Sequence, residues 1–195
     1  MLASKTVQEL LDAFSAPTPT PGGGSAAALA GAVSASLLAM VAAMPKTKNG
    51  TPEERATLDA LHPTLMALRV ELTDLIDRDA ASYDAVVAAY RLPKATDAEK
   101  AARKTAVAAA MRLATDVPLE TLRAAVALKS HGKVVAENGN PNASSDVGVA
   151  LNLALSAGLG ALLNVETNLS GISDEAYVAQ VRQEIDKLRQ HYRQH

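Results

Sequence analysis

Pro19-Thr20-Pro21-Gly22-Gly23-Gly24-Ser25 stands immediately before an uncharged run, Ala26 to Met44. Two prolines and three glycines cannot sit inside one regular element. The stretch therefore reads as a rigid turn that delivers glycine backbone into the first turn of a helix. The run behind it is mostly Ala, Ser, Leu and Met, which predicts a central helix buried on nearly all sides. Consecutive glycines leave N–H groups at a helix start unshielded, which suits an anion or the electronegative edge of a ligand. They equally suit a turn that only lets helices meet closely. The Lys-Ser/Thr ending of a phosphate loop is missing and no strand-like run precedes it, so a nucleotide phosphate is not the expected ligand.

Two spans are long enough to cross a bilayer: the uncharged stretch from Ala13 to Met44, and Val147 to Val165. The first is dominated by Ala, Gly and Ser, which supply far less transfer energy than Leu or Ile, and neither has a strongly basic flank or an aromatic belt. Lys5 is followed by acidic Glu9 and Asp12, and prolines break the early apolar stretch, unlike a secretory signal. The expectation is a soluble protein with two buried small-residue helices and no membrane partner.

Composition points the same way. Forty alanines, one phenylalanine and no tryptophan in 195 residues describe a core made by close helix–helix approach. The expected fold is all-α: a single domain over residues 1–195, a helical bundle with long central helices rich in small residues. Such helices fill little volume each, so a homodimer is expected. A net charge of −2 gives no nucleic-acid footprint. The absence of cysteine excludes disulfides and thiolate chemistry and fits the cytoplasm.

Working outward, Ser4 to Phe14 reads as a short amphipathic helix lying across the bundle, with Val7, Leu10, Leu11 and Phe14 on one face. Thr51-Pro52-Glu53-Glu54 opens a long helix, with proline at the first helical position and acids in the first turn. Along it Leu58, Leu61, Leu65, Leu68, Leu72 and Leu75 recur at spacings of three and four, with Pro63 off the seam. The same rule continues to Asp79, Ser82, Val86 and Ala89. A carboxylate thus falls where the pattern demands a core residue. Leu92-Pro93-Lys94 ends the element, and Thr96-Asp97-Ala98-Glu99 reads as a capping box opening a helix through Ala114. Pro118 kinks or restarts the chain into a helix reaching about Glu137. Asn138 to Asn142 is a turn, Ser144 or Ser145 caps the second uncharged helix, and a last amphipathic helix starts near Ser173.

Asp79 is the strongest chemical clue. It reads either as one half of an ion pair to a facing helix or as a cleft carboxylate that accepts a proton or anchors a ligand. Tyr83 lies one turn on, Asp84 is off the seam and solvated, and Lys94 is set by Pro93 just past the helix end. Lys46, Lys48, Lys100, Arg103 and Lys104 read as a basic rim of the cleft or as ordinary solvated residues. Ser145, Asp146, Asn152 and Asn164 put polar groups at both ends of an apolar helix, where buried ones need partners. His62, His131, His191 and His195 do not read as a site, and without cysteine no metal is expected. Gly24-Ser25 lacks the strand–turn–helix context of a hydrolase elbow.

In order along the chain, the Pro19–Ser25 stretch with its Ala-rich helix to Met40-Val41, Asp79-x-x-x-Tyr83-x-x-Val86, Leu92-Pro93-Lys94 and Asp97-Ala98-Glu99-Lys100 resemble the cyclodeaminase/cyclohydrolase family of folate enzymes. The resemblance resumes at Ala114-Thr115-Asp116-Val117-Pro118-Leu119, at Gly139-Asn140-Pro141-Asn142-Ala143-x-Ser145-Asp146-x-Gly148-Val149-Ala150, and at Leu163-Asn164-Val165-x-x-Asn168-Leu169. It departs at Thr47-Lys48-Asn49-Gly50-Thr51, where Lys48 remains but the family's glycine, further basic residues and aromatic do not. The resemblance implies a helical-bundle dimer that takes a tetrahydrofolate derivative as substrate. It implies catalytic roles for Asp79, as carboxylate, and Lys94, as donor. It places Pro21, Gly22, Gly23, Gly24, Ser25, Lys48, Tyr83, Asn140, Ser145, Asp146 and Asn164 around the substrate.

The implied reaction is hydrolysis of 5,10-methenyltetrahydrofolate to 10-formyltetrahydrofolate, in which water adds to an amidinium-like carbon without help from a metal. The alternatives are cyclodeamination of 5-formiminotetrahydrofolate with release of ammonia, and a non-catalytic dimerising scaffold with a vestigial pocket. The chain carries no formiminotransferase segment, which favours the cyclohydrolase expectation.

Overall fold

The computed structural model describes residues 1–44, Lys46 and 50–193. Six α-helices account for most of them: α1 (Val7–Ser15), α2 (Gly23–Ala43), α3 (Pro52–Tyr90), α4 (Asp97–Asn138), α5 (Ser144–Leu169) and α6 (Glu175–Arg193). There is no strand among the described residues, and the fold is all-α.

Helix α2 is the axis of the bundle, and it can be so because its side chains are small. It runs antiparallel to α3, with Gly24 against Asp79 and Gly31 against Leu72. It runs antiparallel to α5 as well, where Ala27 meets Gly160, Gly31 meets Ala157, and the buried Ser34 hydroxyl donates to the Ala150 carbonyl at 2.7 Å. Ala28, Ala35, Leu38, Val41 and Ala42 are fully enclosed, together with Leu65, Leu72 and Leu75 from the leucine seam of α3 and Ala150 and Ala154 from α5.

The caps of α3 and α4 form as the sequence dictates. The Thr51 and Thr96 hydroxyls accept from the backbone N–H of Glu54 and Glu99, and each glutamate accepts in return from the cap backbone. Two expectations are corrected. Pro118 neither ends nor restarts a helix, because α4 continues through it for 42 residues. Neither Ser144 nor Ser145 caps α5: a 3-10 turn, Pro141–Ala143, runs straight into the helix, and Asn140 caps that turn by accepting from the Asn142 N–H at 3.0 Å.

Helix α6 covers a second cluster, with Val181 and Ile185 packed beside Leu119, Leu122, Val165 and Leu169. It is fastened to α4 by Arg123 on Glu184 at 2.6 and 2.9 Å, by the Tyr177 hydroxyl donating to Asp116 at 2.7 Å, and by Arg112 over the Tyr177 ring. Helix α1 buries none of its residues, and Val7 and Leu11 stay exposed, so its apolar face is not spent on the bundle.

Helix α3 continues eleven residues beyond Asp79, its neighbour at the start of α2, and so overshoots that start by about 16 Å. The first turns of α4 accompany it, joined where the Arg103 guanidinium donates to the Tyr90 carbonyl at 3.0 and 3.1 Å.

Candidate active site

The proline–glycine turn ends at Gly22, the N-cap of α2, which has no side chain to cap the helix. The groups that arrive there come from other elements. Asp79 of α3 lies against Gly24 so closely that a Cβ on residue 24 would sit 2.1 Å from Oδ1 and 2.6 Å from Cγ. Asn164 of α5 brings its Nδ2 to 3.5 Å from where a Cβ of Gly23 would be, while donating to the Gly160 carbonyl at 2.9 Å. All three helices meet here, and the helix start adds its partial positive charge to the place where the carboxylate lies.

The Ser25 hydroxyl lies 2.9 Å from Asp79 Oδ2 and 2.9 Å from the Ile76 carbonyl oxygen. A hydroxyl has one proton and two acceptor sites, so this geometry serves both charge states of Asp79. With the carboxylate ionised, Ser25 donates to it. With Asp79 protonated, the acid can donate to Ser25 Oγ while Ser25 donates to Ile76. The group can gain or lose a proton without stranding a buried polar atom.

No cation pairs with Asp79 among the described residues, which disposes of the facing-helix ion pair as its reason for being there. Burial pushes its carboxyl above the usual aspartate range; hydrogen bonds from the Ser25 hydroxyl and backbone N–H oppose that shift without cancelling it. An unpaired, half-buried carboxylate of raised basicity at a helix start can hold a cationic ligand and accept a proton from water.

The structure separates the other residues singled out in the sequence. Tyr83 follows one turn after Asp79 and is exposed. Lys94, also exposed, lies beyond the end of α3 and lines a cavity of about 700 Å³ with Tyr90, Lys100, Arg103, Lys104 and Arg112; Asp79 is not part of that lining. Lys46 sits at the other end of α2, ion-paired to Glu54 at 2.6 Å, so it does not share a rim with Lys100, Arg103 and Lys104 within one chain. Lys48 lies outside the described residues. Asn140, Ser145 and Asp146 gather at the start of α5, the end remote from Asn164. No cluster of three or more histidine, aspartate or glutamate side chains is placed to hold a metal ion among the described residues. Arg112 and the α5–α6 link, which wall the basic cavity, were not among the residues picked from the sequence; no local pattern marks them, because they meet only through tertiary packing.

Comparison with known proteins places this geometry. The family model described as Formiminotransferase-cyclodeaminase matches residues 6–187. The chain belongs to that family. It is 39% identical over 188 residues, 96% of this chain and 90% of the other, to a methenyltetrahydrofolate cyclohydrolase of Methylorubrum extorquens. It is 36% identical to a formimidoyltransferase-cyclodeaminase of Sus scrofa, matching over 87% of this chain but only 31% of that longer protein. Its fold superimposes on the crystal structure of a formiminotetrahydrofolate cyclodeaminase from Thermotoga maritima with a TM-score of 0.86 at 26% identity, covering 98% of this chain and 91% of that one. As a member of the cyclodeaminase/cyclohydrolase family, the chain falls among folate-processing enzymes of one-carbon metabolism.

Proposed function

We propose that the protein hydrolyses 5,10-methenyltetrahydrofolate to 10-formyltetrahydrofolate at the start of α2. The observation that carries this reading is Asp79: a carboxylate without a cationic partner, raised in basicity, and backed by a hydroxyl that accommodates either protonation state. The methenyl carbon is part of an N–C–N cation, so Asp79 suits it first as counter-charge. Water adding to that carbon loses a proton, which Asp79 accepts. The tetrahedral adduct then breaks its bond to N5: Asp79 hands its proton to that nitrogen, the adduct's hydroxyl proton leaves to solvent as the C=O bond forms, and the formyl group is left on N10, with one proton released per turnover. Asp79 ends ionised, ready for another cation.

Asn164 and the open backbone at Gly22 and Gly23 supply polar groups for the pterin edge. The basic cavity around Lys94, beyond the end of α3, suits the carboxylates of the glutamate tail. The greater similarity to the cyclohydrolase of Methylorubrum extorquens supports hydrolysis over cyclodeamination. The second reading, ring closure of 5-formiminotetrahydrofolate with loss of ammonia, is favoured by the likeness to the Thermotoga maritima structure. It would use Asp79 in the opposite sense, as the acid that protonates the departing amine.

Following the loss of methenyltetrahydrofolate absorbance over the spontaneous rate, and ammonia release from the formimino substrate in parallel, separates the two. Accelerated hydrolysis with no ammonia supports the proposal. Ammonia release alone transfers the assignment to cyclodeamination, and neither activity removes both.

A further inference from the structure

Three helices of this chain start on a local capping box. At Thr6, Thr51 and Thr96 the cap hydroxyl accepts from the N–H three residues on, and the glutamate there accepts from the cap backbone. Helix α2 lacks both parts: its N-cap is Gly22, and the residue three on is Ser25. The box is closed instead across two helices. Asp79 of α3 accepts from the Ser25 backbone N–H, as a cap side chain would, and its Oδ2 lies 2.9 Å from the Ser25 hydroxyl.

Ser25 is completely buried, and Gly24 beside it is buried too. A ligand at the helix start therefore meets Asp79 and not the serine, although the family resemblance sets Ser25 around the substrate. The hydroxyl is also 2.9 Å from the carbonyl of Ile76, which lies one turn before Asp79 on the same helix. Charged groups nearby point elsewhere. Arg78 pairs with Glu120 of α4, Asp77 accepts from the backbone N–H of Leu2 and Ala3, and Glu166 of α5 pairs with Arg189 of α6. Tyr83 and Asp84, one turn on, are exposed, and the turn Pro19–Gly22 and α2 carry no charge. Among the described residues only Ser25 and burial act on the Asp79 carboxyl.

We propose that Ser25 is a positioning residue for the reaction: it holds Oδ2 of Asp79 within the shared capping box and so presents Oδ1 to the ligand as the oxygen that takes up and returns the proton. The role rests on the reading of Asp79 given above. The carboxylate is lodged over Gly24, and turning it about its Cβ–Cγ bond would break the contact with Ser25. A proton that leaves water bonds to Oδ1 and passes on to N5, while Ser25 goes on donating to Oδ2. Without the hydroxyl the carboxylate is free to turn, and its charged form loses a donor.

Ser25→Ala keeps the backbone N–H and removes only the hydroxyl. It should lower kcat by about 10- to 100-fold, the worth of one hydrogen bond to a charged acceptor, and leave KM for 5,10-methenyltetrahydrofolate within about twofold of wild type. The acid limb of kcat/KM should move to higher pH, because the ionised form of Asp79 has lost a donor. Added to Asp79→Asn, Ser25→Ala should cause no further loss, since it acts through that carboxylate. A higher KM at unchanged kcat would put Ser25 on the substrate and overturn the proposal. So would a lower melting temperature with an unmoved acid limb, the mark of packing alone, or a full further loss in the double variant. Ligand-free protein gives a readout without catalysis: in a carbon NMR titration of the Asp79 carboxyl, the midpoint should rise in Ser25→Ala over wild type. If wild-type protein does not hydrolyse methenyltetrahydrofolate, the folate reading falls and this titration decides alone. A raised midpoint upholds the grip of Ser25 on Asp79, and an unmoved one overturns it.

Discussion

Gly24 and Asp79 compete for one volume, and the glycine is what lets the carboxylate keep it. None of the described glycines has a left-handed backbone, so space decides what each can become. Gly24→Ala would push a methyl group into Oδ1 and Cγ, while Gly23→Ala meets only Asn164 Nδ2 at ordinary contact distance. Single-turnover hydrolysis should fall by roughly 10²–10⁴ in Gly24→Ala, as in Asp79→Asn, and stay near wild type in Gly23→Ala. Equal loss in the two alanine variants would mean that the whole turn is needed, not the placement of the carboxylate. Asp79 also sets a pH dependence whose sign is fixed. Its proton is held more tightly folded than unfolded, so its contribution to stability declines as pH rises from the ordinary aspartate value of 3.8 through the raised folded value. Asn carries no such proton. Melting temperatures should therefore favour Asp79→Asn increasingly over wild type as pH rises through that window, and a constant difference would refute the linkage. Asp79 was legible as a break in the leucine seam of α3. Which of three glycines faced it was not, because that depends on how α2 is rotated against a helix more than fifty residues away.

At the scale of helices, α2 approaches α3 and α5 through small residues on more than one face. A Cβ at Gly31 would lie 2.9 Å from one Leu72 methyl and 3.5 Å from the Ala157 Cβ. A β-branched side chain would have to pry both helices away. Gly31→Val should cost about 1–3 kcal/mol, read as a lower denaturation midpoint, while activity per folded molecule stays close to wild type because Asp79 lies two turns further on. A stability change within error would mean that Leu72 yields its place freely. Helix starts at Thr51 and Thr96 could be read from the sequence because their capping boxes are local chemistry. The passage of α4 through Pro118 could not. Pro118 is buried beside Val117 and Leu119, and their packing outweighs the hydrogen bond that proline denies the helix. The start of α5 was misplaced for a related reason, since the turn at Pro141–Ala143 already supplies the entry that a capping serine would have provided.

Across the molecule, composition disclosed the all-helical bundle, and antiparallel packing then carried the site residues apart in a way that no spacing in the sequence could reveal. Asn140 precedes α5 and Asn164 lies within its last turns, so only Asn164 reaches the end where Asp79 lies. The same packing leaves α3 longer than the helix it lies against. From Leu72 to Ile76 it is held between neighbours, with Leu72, Leu75 and Ile76 buried. Past Tyr83 it leans chiefly on the opening turns of α4, and most side chains from Tyr90 to Ala98 face solvent. One continuous helix should therefore not exchange its amide hydrogens as one unit. Protection measured by deuterium uptake should be greatest around Leu72–Ile76, where release demands opening of the whole bundle. It should fall towards Val86–Tyr90, where the tip can unravel alone. Uniform protection along α3 would mean that the overhang is braced by something beyond this chain. A steep gradient would make the stretch leading to Lys94 a compliant spring, whose stiffness a bound polyanion could raise.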